Sequence, residues 1–355
     1  MSLAFLAERQ LAISAVRRAS SLTDSVFRKL VKSESYTKGD KSPVTVGDYA
    51  AQAVIATMIR RAFPDDPIVG EEDSKALRGE SGKEMRDRIV QLANDALVKE
   101  LGVGDNEQWG IGPGKELTPD QLLDAIDFGN HSGGPTGRMW TIDPIDGTKG
   151  FLRGEQYAVC VSLIVDAQVQ VGVIGCPNLP YDTSSSDGLK GCIFVGVRGQ
   201  GAEQLNLEGS QPKVITIPSF AEGELNFLES VEAEHSSHST AGRIASLLGI
   251  TREPTRMDSQ AKYCSLARGD GGVYMRMPTG VGYSEKIWDH APGLVIVEEA
   301  GGVVCDGRGE PLNFGLERTL GENFGVIATG KEWHQRVLKA VQQGVKETSS
   351  AQAKA

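Results

Sequence analysis

Several things are missing from this sequence. No apolar run approaches the roughly 18–20 residues that a membrane-crossing helix needs. Basic charge is not in excess: 37 Lys and Arg stand against 47 Asp and Glu, a net charge of −10. That balance excludes general nucleic-acid binding, which needs a basic surface. It leaves room for a small anionic ligand, because a bound metal can invert the local charge of an acidic site. The five cysteines, Cys160, Cys176, Cys192, Cys264 and Cys305, include no Cys-x-x-Cys pair. Most lie in strand-like apolar stretches and read as reduced core residues of an intracellular protein. There is no internal repeat, no Gly-Lys-Ser/Thr phosphate loop and no Gly-x-Ser-x-Gly nucleophile elbow. Gly196-x-x-Gly199-x-Gly201 is a turn-rich stretch with no helix pattern after it, so it is not a dinucleotide fingerprint.

What is present is an ordinary globular composition, 39% hydrophobic and 24% charged over 355 residues, enough for a large core and two subdomains. Leu3, Ala7, Leu11, Ala15, Ala19, Leu22, Val26 and Leu30 form one apolar stripe along a long first helix. Arg17, Arg18, Arg28 and Lys29 give this segment some look of a mitochondrial transit peptide, but Glu8 and Asp24 interrupt it, and a cytoplasmic protein is expected. A second helix carries Ala51, Val54, Ile55, Met58 and Ile59 and stops before Pro64. Residues 74–138 are polar and irregular, an inserted helix plus loops, with a loop or hairpin at 129–137. From Tyr157 the period changes: 157–165, 169–175 and 192–197 read as strands of a mainly antiparallel sheet. Beyond about 215 the pattern alternates. Strands are expected at 225–230, 272–277, 302–305 and 325–328, and helices at 239–248, 260–268, 288–300 and 331–344. The expected division is therefore an N-terminal α+β subdomain (1–215), a C-terminal α/β subdomain (216–345) and a disordered tail (346–355).

The most informative segment is 140–148, Trp-Thr-Ile-Asp-Pro-Ile-Asp-Gly-Thr. Asp143 and Asp146 stand three apart, Pro144 biases Asp143 toward an extended backbone, and Gly147 turns the chain onto Thr148. Carboxylates this close repel unless something positive lies between them, and hard cations such as Mg²⁺ take oxygen ligands. The plainer alternative is an Asp-Gly turn with no ligand. Each neighbouring acidic motif has its own plain alternative. Glu71 and Glu72 could be a solvated acidic loop. Asp289 could cap the helix in which Pro292 occupies the first turn. Asp48 could complete a capping box with Thr45. Lys262 and Arg276 could be surface charges, and His290 is structural.

Val-Gly-Glu-Glu-Asp at 69–73, Asp-Pro-x-Asp-Gly-Thr at 143–148 and Ile-Trp-Asp-His-Ala-Pro-Gly at 287–293 together resemble the Mg²⁺-dependent, lithium-sensitive phosphatases of the inositol monophosphatase superfamily. Asp-Ser-Gln-Ala-Lys-Tyr-Cys at 258–264 and His-Ser-Ser-His at 235–238 resemble its fungal 3′(2′),5′-bisphosphate nucleotidase branch. Pro292, where members often carry Ala, is a departure that leaves the neighbouring acid untouched. The resemblance implies a layered sandwich of alternating helix and sheet layers. It implies that Glu71, Asp143 and the Ile145 carbonyl hold one Mg²⁺, that Asp143, Asp146 and Asp289 hold a second, and that Glu71 with water reaches a weaker third. Asp48 and Thr148 would orient and deprotonate the attacking water. Gly147, Thr148, Asp289, Ser259, Lys262, Arg276 and His235, with His238 as the alternative to His235, would bind substrate; a zinc site made by these two histidines lacks the cysteines it would want. The implied reaction is hydrolysis of adenosine 3′,5′-bisphosphate to AMP and phosphate, extending to 3′-phosphoadenosine 5′-phosphosulfate, with inhibition by Li⁺ and Na⁺, in a monomer that binds neither nucleic acid nor membrane. An inositol polyphosphate 1-phosphatase on the same scaffold and a non-catalytic nucleotide sensor are the rival readings.

Overall fold

The apolar stripe near the N-terminus forms helix α1 (Leu6–Lys29), whose Leu11, Ala15, Ala19, Leu22 and Val26 are buried. The structure is a computed structural model that describes residues 4–29, 35–37, 43–101, 112–183, 188–232, 238–278 and 282–352. After α1 come an antiparallel ribbon of β1 (Ser35–Thr37) and β2 (Pro43–Thr45), then α2 (Val46–Ala62) and the short strand β3 (Ile68–Gly70). Two 3₁₀ turns lead into α3 (Lys83–Val98) and α4 (Pro119–Asp127). The central motif lies on β4 (Arg138–Asp146) and opens the short α5 (Thr148–Arg153). Then follow β5 (Ala158–Val165), β6 (Gln168–Pro180), β7 (Lys190–Val197), β8 (Gly201–Asn206) and β9 (Lys213–Ile215). The second half runs β10 (Phe227–Glu229), α6 (His238–Leu248), β11 (Thr255–Arg256), α7 (Ala261–Arg268), β12 (Val273–Arg276), α8 (Ala291–Glu299), β13 (Gly302–Cys305), β14 (Val326–Gly330) and α9 (His334–Gln352).

The first sheet has the order β3-β4-β5-β6-β7-β8-β9, antiparallel throughout except for the parallel β3–β4 pair. The second has the order β11-β10-β12-β14-β13, with β11, β10 and β12 parallel and β14 antiparallel to both of its neighbours. Strands alternate faces, so each sheet buries two sets of side chains. One face of the first sheet, with Trp140, Val161 and Val173, packs under Val16, Val54 and Ile55 of α1 and α2. Its other face, with Ile174 and Phe194, meets α7 and α8 through Tyr263, Val295 and Ile296, and these also touch Leu228, Tyr274 and Ala328 of the second sheet. The far side of the second sheet, with Phe227, Val273 and Ile327, is covered by α6 and α9 through Ile244, Val337 and Val341. The layers therefore run helix, sheet, helix, sheet, helix, in keeping with the expected sandwich. Two glycines let α8 seat closely: a Cβ on Gly172 would lie 2.6 Å from the Pro292 carbonyl oxygen, and one on Gly196 would lie 2.8 Å from Ile296 Cα.

The structure departs from the sequence reading in two places. The region 74–138 contains two α-helices rather than one, α4 being set by a capping box between Thr118 and Gln121 with Pro119 in its first turn. The tail expected to be disordered from 346 is helical through Gln352, and Arg243 of α6 pairs with its Glu347.

Candidate active site

A strand that places residues three apart should point them to opposite faces. β4 avoids this with a bulge: Asp143 pairs with Cys160 and Asp146 with Ala158, so three steps on β4 face two on β5. The extra residue falls at Pro144–Ile145 and lets the two carboxylates serve one site. Gly147 follows with φ +83°, a conformation glycine adopts without steric cost, and caps α5. A Cβ there would lie 3.0 Å from that of Ser259, so the Asp258–Ser259 turn closes directly over Gly147. The Thr148 hydroxyl donates to the Ile145 carbonyl at 3.1 Å.

The scattered acids converge. Asp143 is 2% exposed, and burial together with the charges of Glu71, Asp146, Asp289 and Asp48 pushes its carboxyl well above the usual range. Burial and Asp146 likewise raise Asp289 well above it, against the pull of Arg276. Burial also raises Asp146, opposed by Lys262, by a backbone hydrogen bond and by Arg276. Asp48, in the first turn of α2, offers a carboxylate oxygen within 4.8 Å of those of Glu71 and Glu72. Glu72 is buried, so this doublet is not a solvated loop. Asp289 ends a 3₁₀ turn, Ile287–Asp289, and α8 begins after it with His290 as the flanking residue, so Asp289 does not cap α8. Buried Asp143 Oδ1 has no hydrogen-bond partner among the described residues. A buried carboxylate oxygen without a donor, ringed by further carboxylates, suits a hard divalent cation. The acidic cluster therefore fits a metal.

Cations line one side. Lys262 is 3% exposed rather than a surface charge. Its ammonium donates to the Met257 and Ser259 carbonyls at 3.1 and 2.8 Å, and burial lowers its pKa to about 8 against the opposing pull of Asp146. Arg276 donates from Nε to Glu285 at 2.9 Å. Burial works against its charge, but Glu285, Tyr274 and Asp289 outweigh that and hold it charged. Ser259 has φ +68°, unusual for a residue with a side chain, and its hydroxyl accepts from the Ala261 N–H at 3.2 Å. His290 is fully buried, sharing hydrogen bonds with the Tyr263 hydroxyl at 2.8 Å and Glu285 at 3.2 Å, which is the structural place expected of it. His235 lies outside the described residues, as does the side chain of His238.

Sequence reasoning missed the residues that hold these groups in place. Gln52 donates to the Glu72 carbonyl at 2.7 Å and accepts from its N–H at 2.9 Å, pinning the acidic loop to α2. Gln260 gives its backbone N–H to Asp146 at 2.5 Å and its side chain to the Trp288 carbonyl at 2.9 Å, tying Asp146 to the Asp289 turn. Glu285 anchors Arg276 and His290 together, and burial, opposed and outweighed by these partners, leaves it at about 2. Glu72 was signalled by the Glu-Glu doublet; Gln52 and Gln260 stand far in sequence from what they hold, and Glu285, though 9 residues from Arg276 and 5 from His290, belongs to no motif that marks it.

A model of the inositol monophosphatase family matches residues 7–346. A 3′(2′),5′-bisphosphate nucleotidase of Schizosaccharomyces pombe is 48% identical over 95% of this chain and 96% of its own length. One from Emericella nidulans is 44% identical over 96% and 98%. Among solved structures, the extragenic suppressor protein suhB of Bartonella henselae superposes with a TM-score of 0.62 at 17% identity, covering 94% of this chain and 98% of its own. An IMPase of Thermotoga maritima gives 0.59 at 21%, covering 94% and 96%.

Proposed function

Because the chain belongs to the inositol monophosphatase family, we propose that it is a Mg²⁺-dependent phosphoric monoester hydrolase that converts adenosine 3′,5′-bisphosphate to AMP and phosphate. The observation that carries the chemistry is the unpartnered, buried Asp143 Oδ1 among four other converging acids. The substrate follows from relatives that share more than 40% of their residues over nearly their full length, and from the buried Lys262 beside Asp146. Glu71, Asp143, the Ile145 carbonyl, Asp146 and Asp289 would hold two to three Mg²⁺. When bound, the ions would neutralise the phosphate and ease the ionisation of water.

The chain's own residues do the rest. The Thr148 hydroxyl donates its hydrogen bond to the Ile145 carbonyl, so its oxygen lone pairs remain to accept a hydrogen bond from the attacking water and orient it. Asp48 takes the water's proton. The new P–O bond forms as the ester P–O bond breaks, and the ribose oxygen leaves with a proton from solvent. Gly147 and Thr148 face the reacting phosphate. Lys262, Arg276 and Ser259 bind the second, unreacting phosphate, with His235 toward the nucleoside. Hydrolysis of 3′-phosphoadenosine 5′-phosphosulfate, inhibition by Li⁺ and Na⁺, a monomeric state, a cytoplasmic location and the two-subdomain division at 215/216 belong to the same proposal. Among the described residues, no helix is long and apolar enough to cross a membrane.

The test is phosphate release from adenosine 3′,5′-bisphosphate, inositol 1-phosphate and inositol 1,4-bisphosphate, each with Mg²⁺ and with or without Li⁺. Lithium-sensitive turnover of the nucleotide alone is expected. Turnover of the inositol compounds instead would keep the metal cluster and overturn the roles given to Ser259, Lys262 and Arg276. Binding of the nucleotide without turnover of anything would make the protein a sensor.

A further inference from the structure

Arg318 lies between Gly315 and β14, far in sequence from every motif, yet it touches both sides of the acidic cluster. Its Nη1 donates to the Gly129 carbonyl at 2.9 Å and to the His131 carbonyl at 3.0 Å. Its Nη2 donates to the Gly70 carbonyl, 248 residues away and immediately before Glu71. The guanidinium lies 4.8 Å from the centroid of the Trp288 ring, next to Asp289. Its backbone carbonyl accepts from the Ile287 N–H at 3.2 Å, and the neighbouring Thr319 bridges Lys286. One residue is thus hydrogen-bonded to the loop that presents Glu71 and to the turn that presents Asp289. These acids belong to opposite halves of the chain. Gly129 O also accepts from the Gly70 N–H at 2.8 Å, so the strap closes on a rigid backbone ring.

We infer that Arg318 is a positioning residue that fixes Glu71 relative to Asp289 and so sets the metal affinity of the cluster. The inference rests on the metal reading above. An arginine suits the task because its planar fork reaches three carbonyls while its face covers an indole; a lysine supplies one point charge and no plane. It needs no contact with substrate. Burial works against its charge, Asp73 and Glu71 favour it, and that charge offsets part of the repulsion among the acids.

Mn²⁺ binding, followed by electron paramagnetic resonance and calorimetry, tests this in the full chain. Arg318→Lys should weaken Mn²⁺ binding by roughly tenfold or more, the size seen when groups behind metal ligands are altered. Turnover should recover at saturating metal, a shift in the metal requirement rather than in kcat. Val337→Ala, in the remote core under α9, is the control for lost stability and should bind Mn²⁺ as the wild type does. Unchanged Mn²⁺ affinity in Arg318→Lys, or an equal loss in Val337→Ala, overturns the inference. If Arg318→Lys does not fold, Trp288→Phe keeps all three carbonyl bonds and narrows the ring beneath the guanidinium. It should lose affinity severalfold, and wild-type affinity there also overturns the inference. A wild type that binds no Mn²⁺ instead overturns the metal reading, and this inference with it.

Discussion

At the scale of single residues, the centre is a set of charges that the fold concentrates against their own repulsion. Asp146→Ala should leave the circular dichroism of the protein unchanged and abolish turnover; substantial residual activity would sink the assignment of Asp146 to the metal. Lys262→Ala should raise KM for the bisphosphate more than for a nucleoside monophosphate, and equal effects on both would remove it from a second-phosphate clamp. Glu285 provides a pH test. Its folded-state value is depressed to about 2 from the usual 4.5, with His290 and Arg276 overcoming the cost of burial. Its contribution is therefore fully present above pH about 4.5 and lost as pH falls through about 2, on the order of 3 kcal/mol. Urea titrations of wild type and Glu285→Gln should show a steady gap near neutrality that narrows below pH about 4.5. A gap that stays constant on acidification would mean that the Arg276–Glu285–His290 chain does not stabilise the ionised form.

At the scale of elements, local signals worked where one element carries the whole message and failed where two must meet. The stripe of α1, the β-branched runs of β5 and β6, and the Asp-Pro-x-Asp-Gly-Thr segment could all be read from neighbours in sequence. The capping box that starts α4 is equally local, with Thr118 three residues before Gln121 and Pro119 between them. Gln52, Gln260 and Arg318 could not be read, because each acts on a backbone group 20 or more residues away. The turn at Gly147 carries the element-scale prediction. Gly147→Ala must hold a side chain at φ +83° and place it against Ser259. It should cost about 1–2 kcal/mol from the backbone alone and lower kcat by displacing α5 from the Asp258–Ser259 turn. A variant with wild-type stability and kcat would show that this close approach is not needed.

At the scale of the whole molecule, the acids come from α2, from the loop after β3, from β4 and from the turn before α8, so metal should report on global stability. Removing divalent ions with EDTA should abolish activity while leaving the secondary structure intact. Adding Mg²⁺ back at 100 times its Kd should stabilise the fold by about 2.7 kcal/mol and raise Tm by several degrees. A Tm indifferent to Mg²⁺ would argue that the carboxylates do not bind it in the folded protein. The bulge in β4 bears on how this chain can change. Gaining one residue in β5, opposite Pro144–Ile145, would restore an unbroken ladder and turn one of the two carboxylates to the other face of the sheet. Such a protein would be better knit and chemically silent. Point replacement can therefore tune this centre by degrees, whereas a change of one residue in length at that spot switches it off.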